Sequence, residues 1–202
     1  KGNAEIEPVY ARFASMKPEE IAADAQAMAI GERLFMNNCA QCHGSDARGG
    51  KSFPNLTDGE WLYGGSPETI RETLHQGRMG MMPPMGDAVG SAENVRNLAH
   101  YVMSLSNSPH DSLRANLGKE HFAACAACHG PDGKGNQALG APNLTDDIWL
   151  HGWGEAAITT MINQGKTNQM PAQAGKLTEA QLGVLTAYVW GLSNKPGAAA
   201  KR

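Results

Sequence analysis

The 202 residues carry 17 basic and 20 acidic side chains, a formal charge of −3, and are 41% apolar. That apolar share supports a packed core and argues against global disorder. The near-neutral charge gives no reason to expect nucleic acid as a partner. No apolar run approaches the roughly 18 residues that a membrane-crossing helix needs; the best, residues 182–192, contains Gly183, Thr186 and Gly191. The start, Lys-Gly-Asn, is not followed by the apolar stretch of a signal peptide. The expectation is therefore a chain with neither anchor nor signal peptide of its own.

Taken in order, residues 1–25 read as a leader. A helix is expected from about Ala25 into Cys39-Ala40-Gln41-Cys42-His43. Pro54-Asn55-Leu56-Thr57-Asp58 and Trp61-Leu62 lie in a long loop. A second helix begins at Ser66-Pro67-Glu68, an N-cap followed by proline at the first helical position. A methionine run follows, Arg78-Met79-Gly80-Met81-Met82-Pro83-Pro84-Met85. A third helix starts at Ser91 and repeats Leu98, Tyr101, Val102 and Leu105 at helical spacing. Residues 107–112, polar with one proline, read as a linker.

The second half then repeats the first at an offset of 86 to 88 residues. Cys125-Ala126-Ala127-Cys128-His129 answers the first cysteine motif, and Pro142 to Asp146 with Trp149-Leu150 answers the first loop. Met170-Pro171 matches Met82-Pro83, and Tyr188-Val189 matches Tyr101-Val102. Helices are expected from about Leu113, near Gly154 and from Thr178, where Thr178-Glu179-Ala180-Gln181 has capping-box form. The repeats span residues 26–106 and 113–194, with a tail over 195–202. No segment shows sustained period-two alternation, so the fold class is all-α.

All four cysteines lie in the two Cys-x-x-Cys-His motifs. This is the signature of c-type haem attachment. Residues three apart share one face of a helical turn, so both sulfurs reach the two vinyl groups of one porphyrin. The adjacent histidine then reaches the iron. A redox dithiol would want a βαβ context, and a zinc site does not require histidine after each pair. Two covalently bound haem c groups are expected, with Cys39, Cys42, Cys125 and Cys128 as anchors and His43 and His129 as metal ligands. Each haem also supplies the apolar core that a unit of about 80 residues with long loops otherwise lacks.

Opposite each histidine the repeat nominates a methionine, whose soft thioether favours ferrous iron and raises the potential. Met170 is the choice for the second motif, since Met161 falls on a helix and suits packing. For the first motif Met82 leads by alignment, with Met85 as alternative. His/His ligation, or a methionine crossing from the other repeat, stays open. His75, His100, His110, His121 and His151 read as surface or packed residues. Pro54 and Pro142 are expected to accept a hydrogen bond from the ligating histidines. Trp61 and Trp149 either pack on the porphyrin edge, donate to a propionate, or simply fill the core.

At this point Asn-Asn-Cys-Ala-Gln-Cys-His-Gly-Ser-Asp (37–46), Phe-Pro-Asn-Leu-Thr-Asp (53–58), Trp-Leu-Tyr-Gly-Gly (61–65) and Met-Met-Pro-Pro-Met (81–85) resemble the dihaem subunit (FixP/CcoP) of cbb3-type cytochrome c oxidase. The leader segment 7–14 and residues 21–35 are similar to it as well. The resemblance implies two tandem class-I cytochrome c domains and no catalysis by the chain alone. It implies a periplasmic electron-transfer arm fed by a bc1 complex or a soluble cytochrome c. Electrons would pass through another haem c subunit toward the haem–copper centre of the respiratory chain. Membrane association would come only through an anchor absent from this chain. Residues 1–108 sum to −4 and 109–202 to +1, so a basic partner would be steered to the first half. A free-standing dihaem shuttle is the main alternative; a dihaem peroxidase or a gas-sensing haem protein ranks below it.

Overall fold

The structure, a computed structural model, describes residues 2–194, with side chains from residue 8 onward. The expected tail over 195–202 lies outside the described residues. In chain order the elements are α1 (Gly2–Phe13), α2 (Pro18–Ala23), α3 (Ala25–Asn38), α4 (Ala40–His43), α5 (Pro67–Gln76), β1 (Arg78–Met82), α6 (Gly86–Val89) and α7 (Ala92–Leu105). Then come α8 (Ser112–Gly118), a 3₁₀ turn over Lys119–Phe122, α9 (Ala123–His129), α10 (Glu155–Gln164), β2 (Lys166–Met170) and α11 (Glu179–Asn194). The fold is mostly helical, as expected, with one small addition: β1 and β2 pair as a two-stranded sheet. At five residues each, the strands are too short for alternation to stand out in sequence.

The helices begin where their caps dictate. Asp24 Oδ1 accepts from the Gln26 and Ala27 amides at 2.9 Å each, and Asp111 Oδ1 accepts from Leu113 and Arg114 at 2.9 and 3.1 Å. Ser66 and Ser91 cap α5 and α7, each accepting an amide at 3.2 Å. The capping box at α11 closes in both directions: the Thr178 amide donates to Gln181 Oε1 at 2.9 Å, and the Gln181 amide to Thr178 Oγ1 at 3.3 Å. Each such cap contributes about 1 kcal/mol.

The compact units differ from the sequence repeats. One comprises the chain up to Arg78 together with the segment from Met170 on; the other is Met79–Gln169. Each compact unit thus draws segments from both expected domains, 26–106 and 113–194. In the first unit α3 packs on α11, and Phe35, Ile70, Leu74, Leu182, Leu185 and Val189 form the core. In the second, α7 packs on α8, and Val95, Leu98, Val102, Phe122, Ile158 and Ile162 form the core.

The physical reason lies in the segment read as a linker. Only six residues separate α7 from α8, and short connections join antiparallel neighbours. Residues 107–112 form a helical-hairpin turn, not a tether. The Ser108 amide donates to Met103 O at 3.1 Å, and the Asp111 amide donates to Nδ1 of the buried His100 at 3.0 Å.

The leader is likewise part of a core. Phe13 and Ile21 are buried with Ala27, Ile30, Val184 and Ala187, so α1 and α2 cover the outer face of the α3–α11 pair. Among the described residues no helix is long and apolar enough to cross a membrane.

Candidate cofactor sites

In the first unit α3 runs almost directly into α4, so the cysteine motif is a continuous helical turn. The Cys39 amide donates to Phe35 O at 2.8 Å and the His43 amide to Cys39 O at 2.9 Å. Cys39 is partly buried and Cys42 exposed. Burial, with the neighbouring Cys42 sulfur, pushes the Cys39 thiol up to about 11. Burial raises Cys125 as well, with Cys128 beside it. That is opposite to the lowered pKa of a reactive dithiol. Among the described residues no group of three or more His, Cys, Asp or Glu side chains is placed to hold a metal ion.

His43 is 8% exposed and His129 7%. Burial lowers the pKa of both, against a smaller opposing effect of their backbone hydrogen bonds. Both rings are therefore neutral near pH 7. Each donates Nδ1–H to a proline carbonyl, His43 to Pro54 O at 3.1 Å and His129 to Pro142 O at 3.0 Å. That assignment leaves Nε2 as a lone-pair donor for a metal and fixes the ring's orientation. The prolines thus occupy the expected positions.

The loop after each motif must come unusually close to bring that carbonyl into place. At Gly49 (φ +70) a Cβ would stand 2.6 Å from the Pro54 carbonyl oxygen. At Gly135 (φ +82) it would stand 2.7 Å from Pro142 C. The Gly49 and Gly135 amides donate to the His43 and His129 carbonyls at 2.7 and 2.8 Å. The next turn is also shared: Asn55 Oδ1 accepts from the Thr57 amide and hydroxyl at 2.8 Å, and Asn143 Oδ1 does the same for Thr145 at 2.9 and 2.8 Å.

Trp61 packs on the first core and Trp149 on the second. The Trp149 indole N–H is buried without a hydrogen-bond partner, as is the Tyr63 hydroxyl. Tyr63, which the sequence alone does not single out, lies within the Trp-Leu-Tyr-Gly-Gly segment. The Arg78 guanidinium lies 4.7 Å over its ring and is held by Thr73 Oγ1 at 2.9 Å and Glu72 at 3.2 Å. In the second unit the matching positions hold His151 and Lys166, and Asn168 Nδ2 donates to His151 Nε2 at 2.8 Å. Buried donors awaiting an acceptor, two sulfurs per helical turn and a neutral imidazole together fit a carboxylate-bearing porphyrin attached through thioethers.

The methionines are placed differently from the leading expectation. Met170 packs in the first unit with Phe35, Cys39, Ala40 and Trp61, on the side of His43 and not of His129. It is strapped to the end of α5: the Gln173 amide donates to Leu74 O at 2.8 Å, and a Cβ on Gly77 would stand 2.7 Å from the Ala172 amide nitrogen. Met82 lies in the second unit with His129. There the Met85 amide donates to Ile162 O at 2.7 Å, and Gly165 contacts the Met82–Pro83 backbone as Gly77 contacts Met170–Pro171. Met85 packs against the core that holds Cys125, Leu144 and Trp149. The other histidines are engaged elsewhere: His75 with Glu179 at 2.6 Å, His100 with Glu155 at 2.8 Å and His110 with Ser108 O at 2.6 Å.

A family model described as cytochrome c oxidase, cbb3-type, subunit III matches residues 26–102 and 114–189. The chain is 59% identical over 201 residues to the cbb3-type cytochrome c oxidase subunit CcoP of Rubrivivax gelatinosus, covering all of this chain and 66% of that protein. It is 42% identical over 195 residues to subunit FixP of Rhizobium meliloti, covering 90% of this chain and 67% of that protein. Against FixP of Azorhizobium caulinodans it is 40% identical over 193 residues, with 89% and 66% covered. The chain thus spans about two thirds of the length of these relatives.

Proposed function

Since the chain belongs to the family of subunit III of cbb3-type cytochrome c oxidase, we propose that it is a dihaem electron-transfer arm of such an oxidase. A haem c bound at each motif supplies one-electron Fe(II)/Fe(III) cycling. The observation that carries the reading is the twofold occurrence of one arrangement. In each unit a buried neutral histidine, held through Nδ1 by a proline carbonyl, follows two cysteines on one helical turn.

Cys39, Cys42, Cys125 and Cys128 anchor the two groups, and His43 and His129 present Nε2 to them. Met170 would offer its thioether to the group in the first unit, and Met82 to the group in the second. Of the crowded methionines, Met85 corresponds to Gln173 in the repeat. The Met85 amide donates to Ile162 O near the end of α10, and the Gln173 amide to Leu74 O near the end of α5, so position 85 has a backbone role of its own. Met82 corresponds to Met170 and is the ligand. Trp149 and Tyr63 offer their unpartnered donors to haem carboxylates. With both a methionine and a histidine engaged, the bound group would be closed to substrates, which suits outer-sphere transfer.

The relatives' identity as oxidase subunits supports assembly with other subunits. On this reading electrons enter from a bc1 complex or a soluble cytochrome c at the periplasmic face. They leave through another haem c subunit toward the haem–copper centre. The test is intact mass with a redox titration followed optically and in the near-infrared. Two covalent haems, each with a methionine–iron charge-transfer band, are expected; a bare polypeptide mass overturns the reading.

A further inference from the structure

The exposed methionines on β1 have no part in the function above. In β1 inward and outward positions alternate: Arg78, Gly80 and Met82 are half-buried, whereas Met79 and Met81 face out. Met79 is 68% and Met81 71% exposed; among the described methionines only Met36, at 46%, is otherwise exposed. The internal repeat supplies a comparison. The outward positions of β2 that match Met79 and Met81 are Thr167 and Gln169. A strand of this kind therefore forms with polar residues at both places, and neither core packing nor strand formation asks for sulfur there. Apolar thioethers left in water carry one chemistry that Thr and Gln lack: reversible oxidation to the sulfoxide.

We propose that Met79 and Met81 are a peroxide-reactive modification site that intercepts oxidant before it reaches the sulfur of Met82. Each thioether sulfur attacks one oxygen of hydrogen peroxide. The S–O bond forms and the O–O bond breaks. The departing hydroxide takes the proton of the transferred oxygen and leaves as water. The sulfur loses two electrons and the peroxide gains them. The outward side chains pay little for becoming polar, since they are already solvated. The same change at Met82 or Met170 would place a sulfoxide where a soft ligand is needed.

The modification itself stands on exposure alone; its protective role rests on Met82 being a ligand. The experiment separates the two. The native dihaem protein is treated with hydrogen peroxide, quenched with catalase at intervals, digested and mapped by mass spectrometry. Sulfoxide is expected first at Met79 and Met81, with Met82 and Met170 spared. In parallel, the double variant Met79→Thr, Met81→Gln, copied from β2, should keep the charge-transfer band of untreated protein but lose it several-fold faster in peroxide. Oxidation of Met82 as early as of Met79 and Met81 overturns the site. An unchanged rate of band loss overturns the protective role. Absence of a methionine band before any peroxide is added overturns the ligand assignment, while the order of sulfoxidation still decides the site.

Discussion

Gly31 on α3 lies directly against Tyr188 on α11, so close that a Cβ on residue 31 would stand 2.5 Å from the tyrosine's own Cβ. The two residues come from different sequence repeats, and their approach lets Phe35 pack tilted against the Tyr188 ring, with centroids 5.7 Å apart. In the other unit Gly118 meets the backbone of Asn97 and Leu98 in the same way, and Tyr101 lies 5.3 Å from Phe122. Replacing Gly31 by Val should force α3 away from α11 at a cost of roughly 1–3 kcal/mol, as overpacked core sites do. Thermal unfolding should show a lowered midpoint, with the methionine–iron band of one haem weakened and that of the other kept.

The proposed exchange of methionines between the repeats has a direct test. In a protein carrying Cys39→Ser and Cys42→Ser, only the second motif can hold a covalent haem. There, Met82→Ala should abolish the near-infrared methionine band and Met170→Ala should leave it intact. The opposite pattern would mean that each repeat ligates its own haem.

Trp149→Phe keeps the ring in the core but deletes the buried indole N–H. With that donor gone, a haem carboxylate would be less neutralised, and the added negative charge would favour the ferric state. The potential of one haem should fall by roughly 20–60 mV, at most about a tenfold change in the one-electron equilibrium, while the other stays put. Tyr63→Phe should do the same to the partner haem. Equal, small shifts in both would assign the two side chains to packing alone.

Burial lowers the pKa of His43 and His129 below the ordinary histidine value. The unfolded chain then binds more protons than the folded one as pH falls through about 6.5, the unfolded histidine value. Stability should therefore be full above that pH and decline below it, and an iron–imidazole bond pushes in the same direction. Urea unfolding across pH 5–8 should show the midpoint dropping on the acid side. A midpoint that rises on acidification would contradict the neutral assignment.

Much of the site was legible because its rules are local. A cysteine pair on one turn, a histidine beside it, and a cap such as Thr178 with Gln181 all depend on neighbours a few residues apart. The loop carbonyls of Pro54 and Pro142 were legible through the repeat. The partner of each C-terminal helix was not. Tyr101 and Tyr188 occupy equivalent positions, as do Gly31 and Gly118, so the apolar pattern is satisfied equally well by either pairing. The choice is made by the short turn after Leu105, whose polar composition reads as a tether although its length makes it a hairpin. The leader escaped for another reason: its contribution to the core rests on isolated residues such as Phe13 and Ile21, too few to mark a periodic face.

The path of the chain also decides which part of the gene matters to which cofactor. The stretch from Met170 on is synthesised after all of the second unit, yet it completes the unit whose earlier part, up to Arg78, precedes that second unit. A premature stop codon shortly after Gln169 would thus cripple the site around His43, more than a hundred residues upstream, and spare the one beside His129.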